Sequence, residues 1–495
     1  MTITTTRPAG VPPPRDLDRL TGQDRWMLAP DEYGWPQDIG AVAIVDGRSV
    51  LDDTGSVRID AVRDHIGRRL LCAPKLRKIV YRPARGLGGP LWVDAPSFDV
   101  ADHVHTWPLE PSADEPQLLR ACEQLRRQRW DPSRPPWGLW LLPGLPGGRL
   151  GVYVRMHHVI ADGVAGVATI GALLDLAPDS SPPTPPEWVP APIPSDEALR
   201  ADLVRRRRRA MRRAARSTIS GLRHPRPVMR SARNIGAQFH DVFGDRAPDT
   251  SLNRPIGQER MLALVRARLE PIREAAHAHG GKVNDVVLAA VAGGLRELLH
   301  ARGEAVDDLV LRAAVPVSLH RDVGTEPANM DAAMAVPLPI GEPDPIRRLE
   351  LIGAETARRK PRAATNPFSF VMGTRRGQRA FLRAYPRQRL VNVYLANVPG
   401  PAVPMYLAGM PLLEVFPVVP LGGNITVGVG VLSYAGQLNL TVVADRDACP
   451  DIAVFTAGLR DGLDAMVTAG CGPAKRRCSP YPAQSPQARL AQGHM

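Results

Sequence analysis

The chain has 495 residues, 44% of them hydrophobic, and 63 Lys and Arg stand against 50 Asp and Glu for a formal net charge of +13. Such a length exceeds one ordinary domain and the apolar fraction supplies a buried core, which excludes a disordered chain and a small disulfide-stapled scaffold. The charge calls for an anionic partner, whether phosphate, coenzyme A, a lipid headgroup or nucleic acid, and does not choose among them.

In chain order, residues 1–14 have no apolar h-region and read as a disordered N-terminus, so no signal peptide is expected. Residues 15–180 alternate short strand-like runs with helical ones, the pattern of a mixed α/β layer domain. Within them the spacing predicts a helix over Gln117 to Arg129 and a strand over Arg149 to Met156, with Val152, Val154 and Met156 on one face. After Asp162 and Gly163, the residues Val164, Val167, Ile170 and Leu174 mark one face of a further helix.

Residues 181–250 form a Pro-rich and Arg-rich helical linker. Its helix should start after Ser195, a good N-cap followed by Asp196 and Glu197, and stop near Arg223, before His224 and Pro225. It carries Arg205 to Arg209, Arg212, Arg213 and Arg216 beside a thin apolar stripe of Val204, Met211, Ala215, Ile219 and Leu222. Two readings stay open, a solvated linker helix and a peripheral contact with an anionic membrane or lipid droplet through 195–223. Nucleic acid is not expected as a partner, because the run lacks aromatic residues that could stack on bases.

Residues 251–474 read as a second α/β domain. It contains a strong helix beginning at Asn284 and Asp285, strands at Leu309 to Val317, Met334 to Ile340, Arg389 to Asn397, Ile425 to Tyr434 and Leu438 to Ala444, and a last helix at Ile452 to Val467. Residues 475–495 read as a disordered tail. No run of 18 apolar residues occurs, so a spanning helix is not expected. Cys72, Cys122, Cys449, Cys471 and Cys478 form no CxxC pair, which argues against a disulfide framework and a zinc module and fits a reducing cytoplasm.

The most informative segment is Met156-His157-His158-Val159-Ile160-Ala161-Asp162-Gly163, an HHxxxDG element between a predicted strand and a predicted helix. An imidazole held near an alcohol can take its proton as the oxygen attacks a thioester, then return it to the leaving thiolate. Asp162 can organise the turn by pairing with an arginine, or cap the helix, and the two roles are compatible. Taken alone, the element leaves open two idle strand-end histidines. A metal reading of His158 and Asp162 lacks a third ligand, and no metal is expected.

HHVIADG resembles the signature of the acyl-CoA-dependent acyltransferase superfamily, which includes chloramphenicol acetyltransferase-like and condensation-domain proteins. The remaining segments narrow the resemblance to the bacterial wax ester synthase/diacylglycerol acyltransferase family. They are Leu20-Thr21-Gly22-Gln23-Asp24, Pro90-Leu91-Trp92-Val93-Asp94, Asp131-Pro132-Ser133-Arg134-Pro135-Pro136-Trp137, Leu252-Asn253 with Ile256-Gly257, Val283-Asn284-Asp285-Val286-Val287-Leu288-Ala289, Val315-Pro316-Val317-Ser318, Asn397-Val398-Pro399-Gly400-Pro401 and Ser433-Tyr434-Ala435-Gly436.

The resemblance implies an α/β fold of two chloramphenicol acetyltransferase-like domains, a pseudo-dimer with an interface tunnel. It makes His158 the catalytic base, His157 a supporting residue, and Asp162 and Gly163 structural parts of the motif. Asn284 is expected to serve the oxyanion or the acceptor hydroxyl, or else to cap its helix, with Asp285 structural. Ser318, Asn329 and Asn397 are weaker candidates. No bound cofactor is implied; acyl-CoA is a co-substrate, and the coenzyme A-binding residues stay unassigned.

The implied activity is transfer of a long-chain acyl group from acyl-CoA to diacylglycerol, with fatty alcohols as further acceptors, in a cytoplasmic enzyme peripheral to the inner membrane or lipid droplets. The alternatives are a specialised acyltransferase acting on a glycolipid, polyketide or small alcohol, and a non-catalytic lipid-surface protein. Two departures from the family pattern stand out. Gly138 replaces an acidic residue, and Gly422-Gly423-Asn424 places small residues where the acyl tunnel is expected to pass.

Overall fold

The structure, a computed structural model, describes residues 16–161, 163–180, 188–223, 246–318, 331–360 and 375–470. Helix α1 (Gly22–Leu28) opens on a reciprocal cap, in which Thr21 Oγ1 accepts from the Asp24 N–H and the Asp24 carboxylate accepts from the Thr21 N–H. Strand β1 (Asp38–Asp46) and helix α2 (Ile59–Arg69) follow, then a hairpin of β2 (Lys78–Tyr81) and β3 (Leu91–Asp94), and the short β4 (Val104–Thr106). Helix α3 (Glu115–Arg126) leads to β5 (Trp137–Leu142), β6 (Arg149–His157) and α4 (Gly163–Gly171), so the predicted strand and helix around the histidines are both present.

Helix α5 (Asp196–Arg223) begins where expected, with Ser195 Oγ accepting from the Ala198 N–H. In the second half come β7 (Arg260–Arg268), α6 (Leu269–Ala278), α7 (Val283–Ala301), β8 (Val310–Ser318), β9 (Asp331–Pro339), α8 (Pro345–Arg359) and α9 (Arg375–Ala384). The chain ends with β10 (Val393–Pro399), β11 (Tyr406–Leu407), β12 (Met410–Val418), β13 (Val427–Tyr434), β14 (Gln437–Asp445) and α10 (Ile452–Gly470).

Two six-stranded mixed sheets result, ordered β11-β12-β1-β6-β5-β4 and β7-β14-β13-β10-β8-β9. Strands β11 and β12 lie within the region assigned from sequence to a second domain, yet they extend the first sheet: β12 runs antiparallel to β1 with Ala43 opposite Val415. The disordered ends expected at 1–14 and 475–495 lie outside the described residues.

Register decides what each face of the first sheet does. Opposite residues of an antiparallel pair share a face, so Ile39, Ala41, Ala43 and Val45 of β1 stand with Met156, Val154, Val152 and Leu150 of β6. The other face presents Val42, Ile44 and Tyr153 to Leu118, Cys122 and Leu125 of α3, and all six are buried. Bulk is therefore unequal across β1, with alanines in the middle of one face and branched residues on the other.

The second core is built on α7, buried along most of its length between the sheet and α10. Glycine makes that crossing tight, because a Cβ on Gly294 would stand 2.6 Å from the Phe455 carbonyl oxygen.

Candidate active site

Strand β6 delivers two adjacent histidines to unlike surroundings. His157 is buried, its Nδ1 accepts from the Val159 N–H at 3.0 Å, and its Nε2 lies 2.9 Å from an Asp31 carboxylate oxygen. Because Nδ1 accepts, the ring proton sits on Nε2 and donates to Asp31. The other Asp31 oxygen accepts from the Gln37 N–H at 3.3 Å, and the Gln37 carbonyl accepts from the His158 N–H at 2.7 Å. The His158 side chain lines a cavity of about 440 Å³.

That cavity lies on the small-residue face of β1. Val164, Val167, Ile170 and Leu174 of α4 and its C-terminal end, the face predicted from spacing, form one wall, while Ile39, Ala41, Ala43 and Val45 form another. From Asp38, opposite His157, to Val45 the strand advances roughly 23 Å. The second half closes the cavity with Tyr394, Ala396, Asn397 and Val398 of β10, so both halves build it. The polar groups on its walls are few. Tyr434 Oη is engaged, accepting from the Met405 N–H at 2.9 Å and donating to the Leu412 carbonyl at 3.0 Å, and its burial raises its pKa.

Asn397 stands on the cavity wall, and its Nδ2 donates to Asn284 Oδ1 at 3.3 Å. Asn284 is not among the residues that line the cavity and is joined to its wall by this bond. Lys282, not Asn284, occupies the N-cap position of α7. Asp285 is buried; its Oδ2 accepts from the Lys282 N–H at 2.9 Å and its Oδ1 from the Thr356 hydroxyl at 2.7 Å, which ties the start of α7 to α8. Gly163 opens α4, and Ser318 ends β8. Asp162 and Asn329 lie outside the described residues.

The two departures serve packing. A Cβ on Gly138 would meet the Trp140 ring at 2.4 Å, so glycine leaves room for that indole. Gly422 and Gly423 receive Tyr385, and Asn424 exchanges hydrogen bonds with Gln388, Nε2 to Oδ1 at 2.8 Å and Nδ2 to the backbone carbonyl at 3.0 Å. Tyr385 fills the space that this Gly-Gly pair leaves.

Sequence reasoning missed Asp31 and Gln37. Neither has a motif around it, and their contacts with the histidines span more than 100 residues. Burial of the Cys122 and Cys449 thiols pushes their pKa values upward, that of Cys449 to about 12, so neither is a ready nucleophile. Among the described residues no group of His, Cys, Asp and Glu has a metal-binding arrangement, and no helix is long and apolar enough to cross a membrane.

The start of α5 is fixed to the body of the protein. Leu199 and Asp202 are fully buried, and the Asp202 carboxylate pairs with Arg19 at 2.8 Å and Arg206 at 3.2 Å. Farther along, Val204 and Met211 are exposed among the arginines; the side chains of Ile219 and Leu222 lie outside those described.

Comparison with known proteins agrees with this architecture. A protein of Mycobacterium bovis provisionally named a diacylglycerol O-acyltransferase is 27% identical over 442 residues, covering 87% of this chain and 91% of its own. The solved wax ester synthase/diacylglycerol acyltransferase of Marinobacter aquaeolei superposes with a TM-score of 0.64 at 22% identity, over 91% of this chain and 99% of that one. The starter condensation domain of rhizomide synthetase, solved with C8-CoA, superposes with a TM-score of 0.55 at 16% identity, over 92% and 94%. The fold is thus the mixed α/β, two-domain chloramphenicol acetyltransferase-like arrangement expected from the sequence. The wax ester synthase/diacylglycerol acyltransferase catalytic-domain model matches residues 20–287, over half the chain, and the C-terminal domain model matches residues 328–467. With both models matched in order on one chain that also carries the HHxxxDG residue His158 at its cavity, the protein belongs to the wax ester synthase/diacylglycerol acyltransferase family.

Proposed function

We propose that the protein transfers a long-chain acyl group from acyl-CoA to the free hydroxyl of diacylglycerol, with fatty alcohols as further acceptors, and that His158 is the general base. The observation that carries this reading is the position of His158 on the wall of an apolar cavity of about 440 Å³. The His158 imidazole takes the proton of the acceptor hydroxyl as that oxygen bonds to the thioester carbonyl carbon. The tetrahedral oxyanion then collapses, the carbon–sulfur bond breaks, and the departing thiolate takes the proton from the imidazolium. Ester and free coenzyme A result, with no acyl-enzyme stage.

His157, with both ring nitrogens engaged, supports the turn and does not reach for substrate. Asp162 and Gly163 are assigned the structural part of the motif that the family resemblance implies, and the Asn284–Asn397 pair presents an amide to the cavity where an oxyanion or acceptor hydroxyl can be held. An apolar enclosure also disfavours water as a competing acceptor. The same apolar walls favour a lipid alcohol over a small polar one.

The enzyme is proposed to work at a lipid surface on the cytoplasmic side, where both substrates concentrate. The support is α5, whose anchored start leads into exposed arginines interleaved with Val204 and Met211, a composition suited to an anionic membrane or lipid droplet. Purified protein supplied with acyl-CoA and diacylglycerol should release free thiol and form triacylglycerol. His158→Ala should abolish both, and wild-type thiol release by that variant would overturn the assignment of the base.

A further inference from the structure

We infer that Asp31 is a positioning residue for the catalytic histidine, holding His158 in place through two separate contacts; this rests on the proposed role of His158. Asp31 sits in the 3-10 turn Ala29–Tyr33, between α1 and β1, and is joined to His157 across 126 residues of sequence. One carboxylate oxygen receives the His157 Nε2–H at 2.9 Å, and the other receives the Gln37 N–H at 3.3 Å. Gln37 in turn receives the His158 N–H on its carbonyl at 2.7 Å. With the peptide bond between His157 and His158, these contacts close a ring through Asp31, His157, His158 and Gln37.

Such a ring acts on position. His158 immediately follows the last residue of β6, where the ladder that fixes the strand has ended. Its backbone N–H is secured by Gln37, and the Gln37 peptide is secured by Asp31. The neighbouring imidazole is held in one tautomer from both sides, by the Val159 N–H and by Asp31. Only a carboxylate accepts at both places, because an asparagine offers one acceptor oxygen and a donor amide. Asp31 is partly exposed, with 37% of its side chain accessible, so it can be replaced without opening the core.

The test compares wild type, Asp31→Ala, Asp31→Asn and His157→Ala. Asp31→Ala should lower kcat at least roughly tenfold, as expected when a reacting group shifts by a fraction of an ångström, while KM for acyl-CoA stays within about twofold. Asp31→Asn should fall between it and wild type. Combined with His157→Ala, the Asp31→Ala loss should be smaller than it is alone, because the His157 contact is already gone and only the Gln37 contact remains to be lost. A wild-type kcat in Asp31→Ala, a change confined to KM, or fully additive losses would overturn the inference.

NMR of protein carrying 15N-labelled histidine gives an answer that does not depend on turnover. Both the His157 and His158 ring resonances should move in Asp31→Ala; movement of His157 alone would overturn the inference. Absence of thiol release by the wild type, with both resonances moving in the variant, would instead count against the acyl-transfer reading and leave the positioning contact in place.

Discussion

Asn397 donates to Asn284 across 3.3 Å, and of the two it is Asn397 that stands on the cavity wall. A side-chain amide has two hydrogens, so the bond to Asn284 orients Asn397 and leaves a second donor for a developing oxyanion or an acceptor oxygen. We expect Asn397→Ala to lower kcat about a hundredfold, the usual loss for one such donor. Asn284→Ala should cost less, since it loosens Asn397 without removing it. Steady-state thiol release checks the order, and a larger loss in Asn284→Ala would restore the ranking read from sequence.

Chain-length preference should respond to β1. Ala43 lies on the cavity wall, is buried, and stands opposite Val152 of β6 and Val415 of β12. Ala43→Phe fills the strand-side half of the cavity beyond Ala41, so turnover with palmitoyl-CoA should fall at least roughly tenfold relative to octanoyl-CoA, the scale on which pockets discriminate several methylenes. A parallel loss with every donor would show that the acyl chain runs elsewhere.

Acid should destabilise the fold before carboxylates titrate. His65 and His103 both have pKa values lowered from 6.5, chiefly by burial, while His65 donates to the Leu173 carbonyl at 3.1 Å and His103 to the Trp137 carbonyl at 2.9 Å. The unfolded chain therefore takes up protons first as pH falls. Stability is fully present above about 6.5 and drains as pH drops toward the lowered native values, by at most about 1.4 kcal/mol per pH unit for each histidine. Thermal melts from about pH 7.5 to 5 should show this slope, and His103→Phe should reduce it; a flat profile would remove the histidines from the account.

Local structure was legible because its signals are local. Apolar residues at helical spacing after Gly163 announced α4, and Ser195 with its acidic neighbours announced α5. The inward placement of α4 also followed, since Val164, Val167, Ile170 and Leu174 all reach the cavity. Long-range pairing was not legible. Nothing in Met410–Val418 distinguishes a strand of the second sheet from one that crosses to β1, because period-two alternation states which side chains share a face and not which neighbour pairs with the strand. Asp31 was hidden for the same reason, one acid in a short turn whose partner lies far along the chain. Asn284 drew attention by its place in a motif, whereas Asn397 acquired its position from the sheet.

The crossing of β11 and β12 also fixes what can be cut from this protein. Severing the chain in the linker would leave β1 as an unpaired sheet edge with its N–H and C=O groups bare, a template for aggregation. The carboxy-terminal fragment would carry Met410–Val418 with its acceptor sheet gone. The two halves are consequently obligate partners, and neither is an interchangeable module for building hybrid transferases; exchange between relatives has to carry Tyr406–Val418 together with the first sheet.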